Sequence, residues 1–330
     1  MTDDTVSSPV SVIFVGCGEH AFETLLPAAS SIGELEVVAV VDSELDRARK
    51  AAQQFGVPAY LAGVEEALES THAEALMLAG PPQMHVEAAT LAMNRRIPVF
   101  VEKPPAPSTD KMAELAKMSV DAESVTMVGH NLRYTDAWRQ VVGLLEGDEL
   151  ASVHVNYHAS GPKGPRWGYP PVQAFKLTHV VHVFDLLSSL LGPGATVRNS
   201  LSEVGPGRER LLLQSSWSGR GGAVGSAVIS TAAPRFEWSV ELLTHSGTLI
   251  HVESPTEVEV QRSKKPGDWG GGRRETWHTR TLGNGYYGAG YARELTQFAQ
   301  ACRGRAEACP TFADELAVYE AMDDIRDEVR

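Results

Sequence analysis

The stretch KLTHVVHVFDLLSSLLG, residues 176–192, sets His179 and His182 three apart and follows them with Asp185. Imidazoles and a carboxylate at this spacing can hold a metal ion, move a proton for a reacting group, or line the wet side of a helix. At about 100° per residue, Val180, Val183, Phe184, Leu187, Leu190 and Leu191 share one face, which predicts an amphipathic core helix over about 178–191. Thr178, His182, Asp185 and Ser189 take the opposite stripe, with His179 at its edge. Metal is the weakest reading, because no outlying cysteine–histidine cluster completes a ligand set and the spacing is not HExxH. No metal site is expected; acid/base chemistry and a solvated stripe both stay open.

A second chemical signal is VGCGEHA, residues 15–21, which reads Gly16-x-Gly18-x-x-Ala21 directly after an apolar run. Gly16 permits a tight turn, Gly18 lets a pyrophosphate approach the backbone, and Ala21 allows close helix–strand packing. The following helix, opened by Glu19 and His20, points its N-terminus at the anion. A glycine turn alone often just connects elements. Here Asp42 ends the next apolar run about 24 residues beyond Gly18, where an acid can take ribose hydroxyls. That acid favours NAD(H) over NADP(H), whose 2′-phosphate would meet its charge. Arg47 and Arg49 follow and could offset it, or be solvated helix charges. Lys103, in EKP, is pushed by Pro104 towards an extended or turn conformation at a strand's carboxyl end. There it either stabilises charge on a substrate oxygen or is a plain surface lysine.

These groups need a scaffold. Runs at 11–16, 35–42, 74–80, 97–103 and 124–130 are nearly continuously apolar, as strands covered on both faces are. Helix patterns alternate with them: one carries Leu45, Ala48, Ala52 and Phe55, opened by Ser43 and Asp46 and closed by Gly56, and another is capped by Thr109 or Ser108. Such alternation predicts a doubly wound parallel α/β domain over 1–130. Over 131–330 the texture shifts to strands at 152–160, 210–218, 223–231, 236–245, 248–253 and 257–262, joined by turns such as SGRGG and SG, which predicts a largely antiparallel sheet. Residues 263–275 read as a glycine-rich loop.

Lys+Arg 29 against Asp+Glu 42 leaves a net charge of -13, which repels phosphate backbones and anionic membranes, so neither nucleic acid nor membrane is an expected partner. Cys17, Cys302 and Cys309 form no CxxC pair, and MTDDTVSSPV lacks the pattern of a secretion signal. With no apolar run long enough for a bilayer, the expectation is a cytoplasmic protein.

The segments AGPPQMHVEAA (79–89), VFVEKPPAPS (99–108) and VGHNLRYTDAW (128–138), with the closing 286–325, resemble the glucose–fructose oxidoreductase/inositol dehydrogenase (Gfo/Idh/MocA) family. The resemblance implies an NAD(P)-binding Rossmann domain, then an α/β domain with an open antiparallel sheet used for homo-dimer or homo-tetramer contacts. It implies hydride transfer to or from a sugar, nucleotide-sugar, cyclitol or related small carbonyl compound. Glu102, Lys103 and Pro104 match its most specific signature, with Lys103 catalytic. Gly80, Pro81, Pro82 and His85 fall on its cofactor loop. Arg133 and Tyr134 match a pair near the domain junction, either binding substrate oxygens or forming an interface salt bridge. Along the helix the family pattern is Asp-x-Gly-x-His-x-x-Asp; His182 takes the catalytic histidine and Asp185 the last aspartate, but Thr178 stands where the first aspartate belongs.

That departure removes a carboxylate one turn before His182, leaving the imidazole less basic. Thr178 can orient the ring only through its hydroxyl, while Asp185 or His179 could substitute. The loop GPKGPRWGYPP (161–171) places Arg166 and Trp167 to cover a substrate, unless its prolines and aromatics merely order it. Tyr286 or Tyr287 could approach the same cleft. The expectation is a nicotinamide-dependent dehydrogenase or reductase with Lys103 and His182 as catalytic pair. The rival is a non-catalytic member that senses a dinucleotide or metabolite, for which Thr178 argues.

Overall fold

The computed structural model describes residues 8–161, 164–253, 256–262, 272–278 and 289–325. The chain forms two compact units, 1–129 with 285–314 and 130–284 with 315–330.

In the first unit β1 (Val10–Val15), β2 (Leu35–Val41), β3 (Ala59–Leu61), β4 (Ala75–Leu78), β5 (Val99–Glu102) and β6 (Thr126–Gly129) form a sheet ordered β3-β2-β1-β4-β5-β6. Every pairing is parallel. Strands β4, β5 and β6 are buried throughout and β1 everywhere but Ser11, as their continuous apolar sequences require. Helices α1 (Leu26–Ser31), α2 (Leu45–Phe55), α3 (Val64–Ser70), α4 (Pro82–Asn94) and α5 (Thr109–Ala122) link the strands. Order reverses at β1/β4, the switch point where such sheets bind ligands.

One helix start differs from expectation and one agrees with it. Helix α2 has no side-chain cap from Ser43; the Asp42 carboxylate accepts from the Glu44 amide instead, at 2.9 Å. Helix α5 is capped by Ser108, which accepts from the Lys111 amide. The short edge strand β3 has no clear sequence signal, since three residues are too few for a period.

The second unit opens with α6 (Asp136–Leu145), followed by β7 (Leu150–Ser160), α7 (Pro171–Phe175) and α8 (Val181–Leu191). Then come β8 (Thr196–Val204), β9 (Arg210–Ser218), β10 (Val224–Ser230), β11 (Ala232–Thr244), β12 (Leu249–Glu253), β13 (Glu257–Arg262) and β14 (Arg273–His278). Their order is β14-β13-β12-β11-β7-β10-β9-β8. All pairings are antiparallel except β7 with β10, so the sheet is largely, not wholly, antiparallel. Residues 273–275, read as loop, belong to β14.

Helices α7 and α8 are one continuous run from 171 to 191, joined by a π turn at Lys176–Val180. It starts earlier than the expected 178. Its length and composition would pass for a membrane span, but α8 packs on β7 and β10 as a core helix. Two last helices close the chain, α9 (Tyr291–Cys302) and α10 (Phe312–Asp323).

Candidate active site

In the first unit the sequence delivers a built dinucleotide cradle. Gly16 has φ +95°, and a Cβ there would lie 2.1 Å from the Ala79 carbonyl oxygen, so β1 and β4 come together only over glycine. Gly18 is the opposite case: a Cβ there would meet nothing within 4 Å, leaving backbone bare to a ligand. Asp42 ties the second strand to this turn, its Oδ2 accepting from the Cys17 amide at 2.8 Å. Each carboxylate oxygen has more than one acceptor site, so both protein bonds leave capacity for ribose hydroxyls. Burial, with Asp42 nearby, pushes the Cys17 thiol up to about 12, making it packing rather than a nucleophile.

After Gly18 the helix runs through a π turn at Ala21–Leu25, where the Leu26 amide reaches the Ala21 carbonyl. Ala21 is buried as expected, and Glu19 and His20 lie exposed on the first turn. These features fit a dinucleotide: small residues where backbone must be approached, an acid tethered to the turn, and a helix start beyond it.

The neighbouring loop is held by a buried strap. His85 is fully buried near the start of α4; its Nε2 accepts from the Gly80 amide at 2.7 Å, and its Nδ1 lies 2.9 Å from the Pro104 carbonyl. Accepting at Nε2 leaves the proton on Nδ1, to be donated to Pro104. Burial, with Lys103 nearby, brings the imidazole down to about 4, so it is neutral. Both nitrogens are engaged within the protein, so His85 acts by fixing Gly80-Pro81-Pro82 against the Glu102-Lys103-Pro104 segment. Lys103 is half-buried and Glu102 buried, with His20 Nε2 4.0 Å from the Glu102 carboxylate.

In the second unit the helix stripe runs from half-buried Thr178 to exposed Ser189. His182 and Asp185 are both buried, and so are Val181 and Leu186, which the wheel had left outside the core face. Asp185 receives Arg133 through Nε at 2.7 Å and Nη2 at 2.5 Å. His130 lies 3.5 Å from Asp185 through Nδ1 and 2.9 Å from Glu315 through Nε2. Burial would lower the His130 pKa, but Asp185 and Glu315 outweigh it and hold the imidazole above its ordinary value.

His130, Asp185 and Glu315 approach one another closely enough for a metal ion. Arg133 already pairs with Asp185, and burial raises the Glu315 carboxyl above its ordinary value against the pull of His130. The cluster is an ion-pair network.

His182 sits between this network and an aromatic wall. Tyr157, from β7, stacks on His182 with centroids 6.1 Å apart and planes at 22°, and touches His179 at 5.8 Å. His130 meets the His182 ring edge-on at 6.1 Å. Burial pushes the Tyr157 phenol up to about 12. Tyr157 escaped the sequence reading, since one inward tyrosine in an alternating strand looks like core; the only signal was its period-two alternation with Val153 and Val155.

Thr178 lies one turn before His182. Its hydroxyl donates to the Ala174 carbonyl at 2.6 Å, inside its own helix. Tyr134 is half-buried in the turn before α6. The Arg166 guanidinium lies over the Trp167 ring at 4.7 Å. Tyr286 and Tyr287 lie outside the described residues.

Residues 10–130 match the model of the Gfo/Idh/MocA oxidoreductase family, described as an NAD-binding Rossmann fold. A 4-carboxy-2-hydroxymuconate-6-semialdehyde dehydrogenase from Sphingobium sp. is 30% identical over 135 residues, covering 41% of this chain and 43% of that protein. An inositol 2-dehydrogenase from Pseudarthrobacter chlorophenolicus is 24% identical over 58% of this chain and 57% of its own. The match to these relatives thus spans about half of their length. A crystal structure of a dehydrogenase from Chromobacterium violaceum superposes with a TM-score of 0.90 at 28% identity, over 97% of this chain and 95% of that one. With the glycine turn, the tethered Asp42 and the Glu102-Lys103-Pro104 segment in place, residues 10–130 carry the NAD-binding Rossmann fold of the Gfo/Idh/MocA oxidoreductase family, and the chain is similar to a solved dehydrogenase over nearly its whole length.

Proposed function

We propose that the protein is a nicotinamide-dependent dehydrogenase or reductase acting on a carbonyl or hydroxyl carbon of a sugar, nucleotide-sugar, cyclitol or related metabolite. The observation that carries the reading is the bond from the Cys17 amide in the glycine turn to the Asp42 carboxylate. An acid held at this turn supports ribose binding there, and its charge favours NAD(H) over NADP(H). Relatives named for inositol and for a dTDP-deoxysugar reduction support the substrate class.

When bound, the nicotinamide supplies or accepts hydride. The ammonium of Lys103 donates a hydrogen bond to the reacting oxygen and stabilises its developing negative charge. His182 gives that oxygen a proton in reduction and removes it in oxidation. Tyr157 and His130 hold the His182 ring on two sides, which limits its orientations. Arg133 and Asp185 are committed to each other, so their contribution is to fix the helix bearing His182. Tyr134, His179, Arg166 and Trp167 remain the groups for substrate oxygens. The protein is cytoplasmic and a homo-dimer or homo-tetramer through its second sheet, with small molecules rather than nucleic acid or membrane as partners. The loss of a carboxylate at Thr178, whose hydroxyl turns to Ala174, favours a second reading, a dinucleotide sensor without turnover.

Calorimetric titration with NADH and NADPH, run in parallel on cofactor-free protein, separates these readings. The expected result is tighter NADH binding, with Asp42→Ala narrowing the difference. In a screen of carbonyl substrates, Lys103→Ala and His182→Ala are expected to keep cofactor binding and lose roughly 10²–10³-fold in turnover. Binding without turnover of any substrate selects the sensor; a folded sample that binds neither cofactor defeats both readings.

A further inference from the structure

Tyr291, Glu294 and Phe298 recur at helical spacing on one stripe of α9, within the first unit. The Tyr291 ring meets His20 at 5.6 Å, and the Phe298 ring meets Phe100 at 5.7 Å. His20 in turn lies 4.0 Å from Glu102. Phe100 and Glu102 stand two apart in β5, on one face of the strand, and a Cβ built on Gly129 would touch both. Glu294 sits between these two contacts and is fully buried. Among the described residues, neither of its carboxyl oxygens has a hydrogen-bond partner.

An unpartnered buried carboxyl is costly to keep, and the apolar stripe would be continuous with leucine there. The charges that face it are few. Glu102 and Lys103 act on it from the strand end, and His20 stands beyond Glu102. On the elements packed against α9, Glu23 and Glu36 are exposed, and Arg293 on α9 itself is half-buried. Two buried carboxyls therefore share one ammonium.

We propose that Glu294 is a positioning residue for Lys103: as an uncharged acid it leaves the ammonium facing the single carboxylate of Glu102, and on ionising it sets two carboxylates against that one cation. The proposal rests on the catalytic role given to Lys103. Burial first, and then Glu102, hold the Glu294 carboxyl well above its ordinary range, with Lys103 opposing. Ionisation of Glu294 would weaken the positive potential that Lys103 offers a substrate oxygen and make the ammonium harder to deprotonate.

The test needs no substrate. Lys103 is labelled with an amine-selective reagent from pH 7 to 11 and its modification followed by peptide mass spectrometry, in wild type, Glu294→Gln and Glu294→Leu. Both substitutions are uncharged, and leucine guards against a glutamine that fails to pack. The expected result is an earlier rise of Lys103 labelling in the variants, roughly threefold faster a unit or more below the wild-type midpoint, as about half a pKa unit implies. Thermal unfolding of the same proteins gives a second readout. An acid whose folded pKa is raised loses its stabilising contribution as pH rises through that value. Wild type should thus fall behind Glu294→Gln above the ordinary carboxyl range, by up to about tenfold in folding equilibrium per pH unit. Superimposable labelling curves, or parallel melting across pH, overturn the proposal. If labelling shifts while Lys103→Ala leaves turnover intact, the link to Lys103 stands and its catalytic role falls.

Discussion

Gly16→Ala is expected to destabilise the first unit by about 3 kcal/mol and abolish dinucleotide binding, whereas Gly18→Ala should fold normally and lose affinity alone. The new methyl at 16 would lie 2.1 Å from a backbone oxygen, at a φ of +95°. Neither problem has a flexible side chain to relieve it. Overpacking costs about 1–3 kcal/mol and a strained backbone region about as much again. Relief would require β1 and β4 to part, and the Ala79 amide bonds the Val15 carbonyl at 2.8 Å just there. A methyl at 18 meets nothing of the protein within 4 Å, so it would clash only with a ligand. Circular-dichroism melting with NADH titration of both variants checks this. Equal melting temperatures would show that the turn yields more readily than its geometry implies.

Arg133→Met should cost the second unit about 3–5 kcal/mol, the range for stranding one member of a buried ion pair. Asp185 is 1% exposed and would lose both guanidinium bonds, left beside Glu315 and His130. Adding Asp185→Leu should recover much of the loss, because removing both partners is often neutral. All six tryptophans lie between 138 and 277, in the second unit, so intrinsic fluorescence during urea unfolding reports on that unit alone. A loss below about 1 kcal/mol, typical of exposed pairs, would sink the claim that the network is structural.

The same network predicts a pH dependence. The folded pKa of His130 is raised, so its contribution is complete below the ordinary histidine value and disappears as pH rises through the folded one. Fluorescence-detected melting should therefore decline on the alkaline side, and Asp185→Asn should move that decline to lower pH.

What the sequence disclosed and what it hid divide by range of interaction. The glycine turn and Asp42 were legible because strand, turn and helix start are neighbours in the chain, and their roles follow from backbone geometry. The strap from His85 to Pro104 was not, because a histidine near a helix start gives no sign of a carbonyl beyond the next strand. His182 and Asp185 were picked out, but the choice between a polar neighbour and solvent stayed open. A uniform wheel cannot register the extra residue of the π turn at Lys176–Val180. Nor could it supply Glu315, 130 positions from Asp185. Glu294 looks like one more charge on an amphipathic helix; only burial makes it exceptional.

The first unit is discontinuous in the chain, closing with 285–314. Leu295 and Phe298 of α9 have no exposed surface, and α9 packs on α1 and β2. Cutting the gene after residue 130 would therefore leave a sheet with one wall missing. Exchange of this unit between relatives, in the laboratory or in evolution, has to carry two crossovers, so the nucleotide-binding part of the molecule is inherited as an interleaved piece rather than as a detachable cassette.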